Sequence, residues 1–154
     1  MNVMNHIAKV LVASMVLTTT VGCSQDEDAT TVGPRGGVIT SEDGRFSVEI
    51  PAGALDQEID ITIEQVDCEM DESTDALAEC YEVGPVGLPL LFPAKVTYEV
   101  DDSMFDLVSP EAIAVAVEKE EHWNLLADRK VETGAAKVTA SAVYLSAYAL
   151  VATD

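Results

Sequence analysis

The stretch Phe46-Ser47-Val48-Glu49-Ile50, then Pro51-Ala52-Gly53-Ala54-Leu55, then Ile59-Asp60-Ile61-Thr62-Ile63-Glu64 decides the fold of this chain. In the two outer runs apolar and polar residues alternate one by one. Successive side chains of a strand point to opposite faces, so each run reads as a strand with one dry face and one wet face. Pro51 and Gly53 break the ladder between them.

The same period extends outward. Asp43-Gly44 precedes the first run and is a strong hairpin signal, because both residues tolerate positive φ. Val96, Tyr98 and Val100 alternate with Lys95, Thr97 and Glu99. Ile113, Val115 and Val117 alternate with alanines, which predicts a strand covered on both faces. Glu118-Lys119-Glu120-Glu121 leads to a further strand near Trp123–Leu126, and Thr133-Gly134 marks the next turn. No segment sustains a 3.6-residue apolar stripe, although Asp75 to Cys80 admits one helical turn. Short strands with turns this often predict an all-β fold, a single antiparallel β-sandwich over residues 34–154.

The amino terminus is of another kind. Lys9 precedes an apolar run from Val10 to Leu17, and the small-residue end Thr18-Thr19-Thr20-Val21-Gly22 leads to Cys23. That is the layout of a cleaved signal peptide over residues 1–22. A membrane span needs about 20 apolar residues, more than this run supplies. Gly22-Cys23 resembles a lipoprotein cleavage box, with Thr20 where such boxes carry leucine. The resemblance implies that the Cys23 thiol carries lipid. Each buried methylene contributes about 0.8 kcal/mol, so two or three acyl chains anchor firmly. Residues 23–33 read as the lipidated cysteine and a short acidic tether. Ser24 after the anchor favours the outer membrane over the inner one.

All 28 acidic residues follow Cys23, against seven of the eight basic ones, which leaves the mature chain at −21. A field of that sign repels phosphate backbones and anionic headgroups, which excludes nucleic acid as a partner and leaves the lipid as the expected membrane contact.

Cys68 and Cys80 remain once Cys23 is lipidated, and an even pair in an exported protein predicts a disulfide. Zinc would need further ligands, and no histidine is near in sequence. The acids Asp67, Glu69, Asp71, Glu72 and Asp75, and separately Asp101, Asp102 and Asp106, are the candidates for calcium. Neither run has a glycine-containing calcium-loop pattern, so a solvated acidic face is the leading reading and no cofactor is expected. His122 is the mature chain's one histidine, and any histidine-activated nucleophile would have to use it. Trp123, Phe92, Phe105, Tyr98 and Tyr148 could form a stacking surface for a ligand, but a domain this poor in aromatics is expected to keep them in its core.

Gly36-Gly37, Asp43-Gly44, Val48 to Leu55, Tyr81 to Pro85, Phe92-Pro93-Ala94 leading into Val96-Thr97-Tyr98, and Ser146-Ala147-Tyr148 occur here in an order that resembles the ZU-five domain. That is the β-sandwich module of ankyrins, netrin receptors and zona-occludens scaffolds, and the likeness is to its bacterial secreted versions. The resemblance implies a protein-binding or scaffolding role. Some members cut their own chain beside a His-Phe-Ser triplet, with the serine as nucleophile. The matching place is Tyr144-Leu145-Ser146, with tyrosine where the histidine would stand. A phenol with a pKa of about 10 stays protonated at neutral pH. Ser146 is therefore expected to be inactive, a hydrogen-bonding residue ahead of the last strand.

The expectation is a lipid-anchored envelope protein with a non-enzymatic interaction domain and a protein partner. The alternatives are a calcium- or carbohydrate-binding domain of a surface adhesion system and, behind it, a small hydrolase.

Overall fold

The computed structural model describes residues 29–70 and 74–154. Within them the alternating runs become strands. β1 (Thr30–Val32), β2 (Gly37–Thr40), β3 (Phe46–Ile50), β4 (Ile59–Val66), β5 (Cys80–Gly84) and β6 (Pro89–Glu99) come first. A short helix, α1 (Met104–Leu107), then precedes β7 (Ile113–Lys119), β8 (His122–Leu125), β9 (Lys130–Glu132), β10 (Lys137–Tyr144) and β11 (Ala147–Ala152). One sheet has the order β1-β4-β5-β11-β7-β8 and the other β2-β3-β6-β10-β9, and every named pairing is antiparallel. The chain is an all-β sandwich.

The inward residues of each strand close over one core. Phe46, Val48 and Ile50 from β3 meet Ile61, Tyr81, Val83, Val115, Tyr148 and Leu150 from the opposite sheet. At its centre the Phe46 and Tyr81 rings stack at 4.9 Å, with Tyr98 tilted against both. A buried phenol needs an acceptor. The Tyr98 hydroxyl donates to the Tyr148 carbonyl at 2.9 Å, and the Tyr148 hydroxyl to the Tyr144 carbonyl at 2.6 Å.

Turn chemistry fixes the corners. The Asp43-Gly44 hairpin joins β2 to β3, with Gly44 at φ 72° and the Asp43 carboxylate accepting the Arg45 N–H at 3.0 Å. Gly36, at φ 73°, sits so close to β3 that a Cβ there would lie 2.3 Å from the Ile50 carbonyl oxygen.

A third layer covers the six-stranded sheet. Ala114, Ala116, Ala149 and Val151 face outward yet are buried, beneath Cys68, Met70 and Trp123. Residues 67–70, which follow β4, lie over them as a strap held by the Cys68–Cys80 disulfide and by the Trp123 indole N–H donating to the Glu69 carbonyl at 2.8 Å, and Ala76 further on bridges Val151. The small alanine face lets this strap lie flat.

Several expectations change. Paired structure begins at Thr30, inside the segment read as tether, because a β-branched triplet with one inward residue suffices for an edge strand. Val32 is that buried residue. Ala76 bridges to Val151 where a helical turn was expected, and the helical turn occurs at Met104–Leu107. Thr97, expected to be wet, is buried in β6. Tyr98 and Tyr148 are core, Phe105 and Trp123 are half-buried, and Phe92 is 56% exposed beside Leu91 at 70%. The cause is a register shift in the β6–β10 ladder. Ala142 faces Ala94 and Tyr144 faces Pro89, so four residues, Leu90 to Pro93, stand against Val143 alone, and of these Leu90 turns into the core while Leu91, Phe92 and Pro93 are exposed. β9 was not foreseen.

Candidate binding groove

The strands of the two sheets end unevenly at one seam. β1 pairs Thr30–Val32 with Ile59–Ile61 and stops, while β4 continues to Val66. On its other side β4 stays paired to β5, Thr62 with Gly84 through Val66 with Cys80. The Val83 N–H donates to the Ser146 carbonyl at 2.9 Å, away from β4. In an antiparallel ladder a residue whose polar groups point away faces a partner that also points away. Ile63, opposite Val83, therefore turns its N–H and C=O to the outer edge, and Gln65 does the same by alternation. Among the described residues no backbone group meets them.

A groove of about 670 Å³ lies along this edge, between β4 and the β2 strand of the other sheet. Ile39, Thr40 and Ser41 form one wall, Ile63, Glu64 and Gln65 the other, and Thr30 and Tyr81 complete it with Glu42 and Asp43 at the hairpin. Among the described residues its lining includes three carboxylates and no lysine or arginine.

Asp43 and Tyr81 hold the hairpin against the six-stranded sheet. The Tyr81 hydroxyl donates to Asp43 Oδ2 at 2.5 Å, and the Ser41 hydroxyl to Oδ1 at 2.6 Å. Ser41 Oγ also accepts the Phe46 N–H at 3.0 Å. Partial burial works against the Asp43 charge, but the bonds from Ser41, Tyr81 and the Arg45 backbone outweigh it and hold the carboxyl below its ordinary value. Tyr81 moves the opposite way. Burial first, and then the bond to Asp43, push its phenol up, so it stays a neutral donor. Arg45 continues the network to Asp101 at 3.2 Å.

The residues singled out in the sequence lie elsewhere. Cys68 and Cys80 are joined, with Cα atoms 5.4 Å apart, in the strap. Asp101 is paired to Arg45, and among the described residues no group of three or more His, Cys, Asp or Glu side chains is placed to hold a metal ion, Asp67, Glu69 and Asp102 included. Asp71, Cys23 and the signal segment lie outside the described residues. Ser146 is 6% exposed, and its hydroxyl donates to the Glu118 carbonyl at 2.8 Å. His122 sits on β8, with β7 between it and the β11 line, so it stands about 10 Å away by two inter-strand spacings. Burial raises the Tyr144 phenol, which keeps its proton.

The groove itself was not found from sequence. Asp43 is legible as a turn residue and Tyr81 as part of a family motif, but nothing local links residues 38 apart. No protein-family model matches this chain, and no curated protein matches it either.

Proposed function

We propose that this protein is a lipid-anchored component of the bacterial envelope, held by Cys23 in the outer membrane in preference to the inner one, whose sandwich binds another protein and carries no catalysis. The ZU-five resemblance of residues 34–151 supports that style of work. The single observation that carries the reading is the stretch of β4 beside the groove that has no strand partner on its outer edge among the described residues. An exposed strand edge is a template for main-chain recognition, and native sheets blunt such edges unless they are used. The chemistry around Ser146 supports the non-catalytic half. Its hydroxyl proton is committed to a backbone carbonyl, and the residue two before it is a protonated phenol.

A photo-crosslinking residue placed at Gln65 tests this in intact cells. The expected result is a defined protein adduct from position 65 and none from Asp56, an exposed residue in the loop between β3 and β4. Equal labelling from both positions, or none from 65, would overturn the proposal.

A further inference from the structure

The groove's chemistry goes further than the statement that something binds there. We infer that it receives an extended segment of a partner protein carrying lysine or arginine, which adds as a strand beside Ile63–Gln65 of β4. This deepens the interaction role proposed above and rests on it.

Geometry supplies the extended form. β4 runs from Thr62 to Val66 past the end of the β1 ladder, about 16 Å of edge at the usual rise per residue. Two residues on that edge turn both of their main-chain groups outward, which is what an incoming strand requires. The edge also lacks the usual guards. Thr62-Ile63-Glu64-Gln65-Val66 holds no proline and no lysine, and the ladder on its far side runs without a register shift.

Charge supplies the sign. Glu42, Asp43 and Glu64 line the groove with no cation among them. Asp43 remains ionised, since its carboxylate accepts from Ser41, Tyr81 and Arg45. Two competing occupants carry the wrong sign. The chain's own residues 25–28, Gln-Asp-Glu-Asp, would bring further carboxylates into the groove if they continued the line of β1. A second copy pairing edge to edge would set Glu64 near its own equivalent, on a chain of formal charge −20. A cationic strand instead turns alternate side chains toward Glu64, which shares the outer face of the sheet with Glu82, and toward Glu42 and Asp43 on the groove side.

The test uses the mature chain and amide hydrogen exchange at Ile63 and Gln65, with a short blocked peptide alternating lysine and valine as probe. Its counterpart with glutamate in place of lysine is the control. With the lysine peptide at about ten times its Kd, exchange at these two amides should slow about tenfold. The glutamate peptide should leave it unchanged. Both Glu42 and Glu64 are exposed, so the Glu42→Lys/Glu64→Lys variant keeps the fold and should bind the lysine peptide about tenfold more weakly. Equal protection by the glutamate peptide, or none by the lysine peptide, overturns the inference. So does slow exchange at these amides without peptide that is lost on deleting residues 24–28, which would make the tether the occupant. Concentration-dependent protection without peptide would make a second copy the occupant, and would overturn it equally. A crosslink from Gln65 in cells without protection by the lysine peptide would keep the interaction role and remove this occupant. Protection without a crosslink would sink the cellular role alone.

Discussion

Replacing Tyr81 by Phe removes one oxygen and leaves the stacked ring against Phe46 in place. The lost hydroxyl donates to Asp43 at 2.5 Å, and a hydrogen bond to a charged acceptor is worth about 1.5–3 kcal/mol. Asp43 is solvent-facing, so the low end applies, and we expect a loss of about 1–1.5 kcal/mol at neutral pH. With a urea m-value of about 2 kcal/mol per molar, the unfolding midpoint should fall by roughly 0.5–0.75 M. The pH dependence gives the sharper check. Asp43 titrates below its ordinary value of 3.8 in the folded chain. A group with a depressed folded pKa adds stability that is present above the unfolded value and lost as pH falls through the folded one. The gap between wild type and Tyr81→Phe should therefore be full at pH 7 and narrow steadily below pH 3.8. The phenol does not titrate in this window, so the carboxylate alone sets it. Urea titrations at neutral and acid pH, with Asp43→Asn and the double variant completing a cycle, measure the coupling directly. A gap of equal size at both pH values, or additive effects in the cycle, would show that Tyr81 acts by packing alone and that the hairpin is not held through Asp43.

Reducing the Cys68–Cys80 bond, which spans 12 residues, should lower stability by about 3 kcal/mol in a chain-entropy account, read as a fall in Tm with dithiothreitol. No change in Tm would show that the strap is held by its other contacts. Gly36→Ala puts a methyl group 2.3 Å from the Ile50 carbonyl oxygen at φ 73°, and should cost more than about 1 kcal/mol by chemical denaturation, against a few tenths for a tolerated surface change. Cys23→Ala should move the protein to the soluble fraction and abolish labelling by a fatty-acid analogue. Retained labelling would remove the lipid anchor from the proposal.

The two-residue period made most of the sandwich legible, because sheets with one dry face write their geometry into alternating polarity. Phe46–Ile50, Ile59–Ile63 and Ile113–Val117 all lie in strands, and Asp43-Gly44 is the hairpin that its composition announces. What escaped has physical reasons. β1 and β9 are three residues each, too short to show a period. Phe92 is exposed because a register shift between β6 and β10 expels it, and such a shift is a relation between distant segments. The groove is illegible for the same reason. Ile63 and Gln65 look like ordinary strand residues, and their lack of an outer-edge partner among the described residues follows from a β1–β4 ladder that reaches only to Ile61 while β4 runs to Val66.

The alanine face beneath the strap changes how β7 and β11 choose their register. Both of their faces are dry, so a one-residue slip would not expose an apolar side chain to water, which is the usual deterrent. Volume takes over that duty. Ile113, Val115 and Val117 point inward and Ala114 and Ala116 outward. A slip would turn alanines into the aromatic core and leave holes there, while branched side chains would be driven up against the disulfide and the Trp123 indole. These strands are aligned by size, in a place where solubility carries no information.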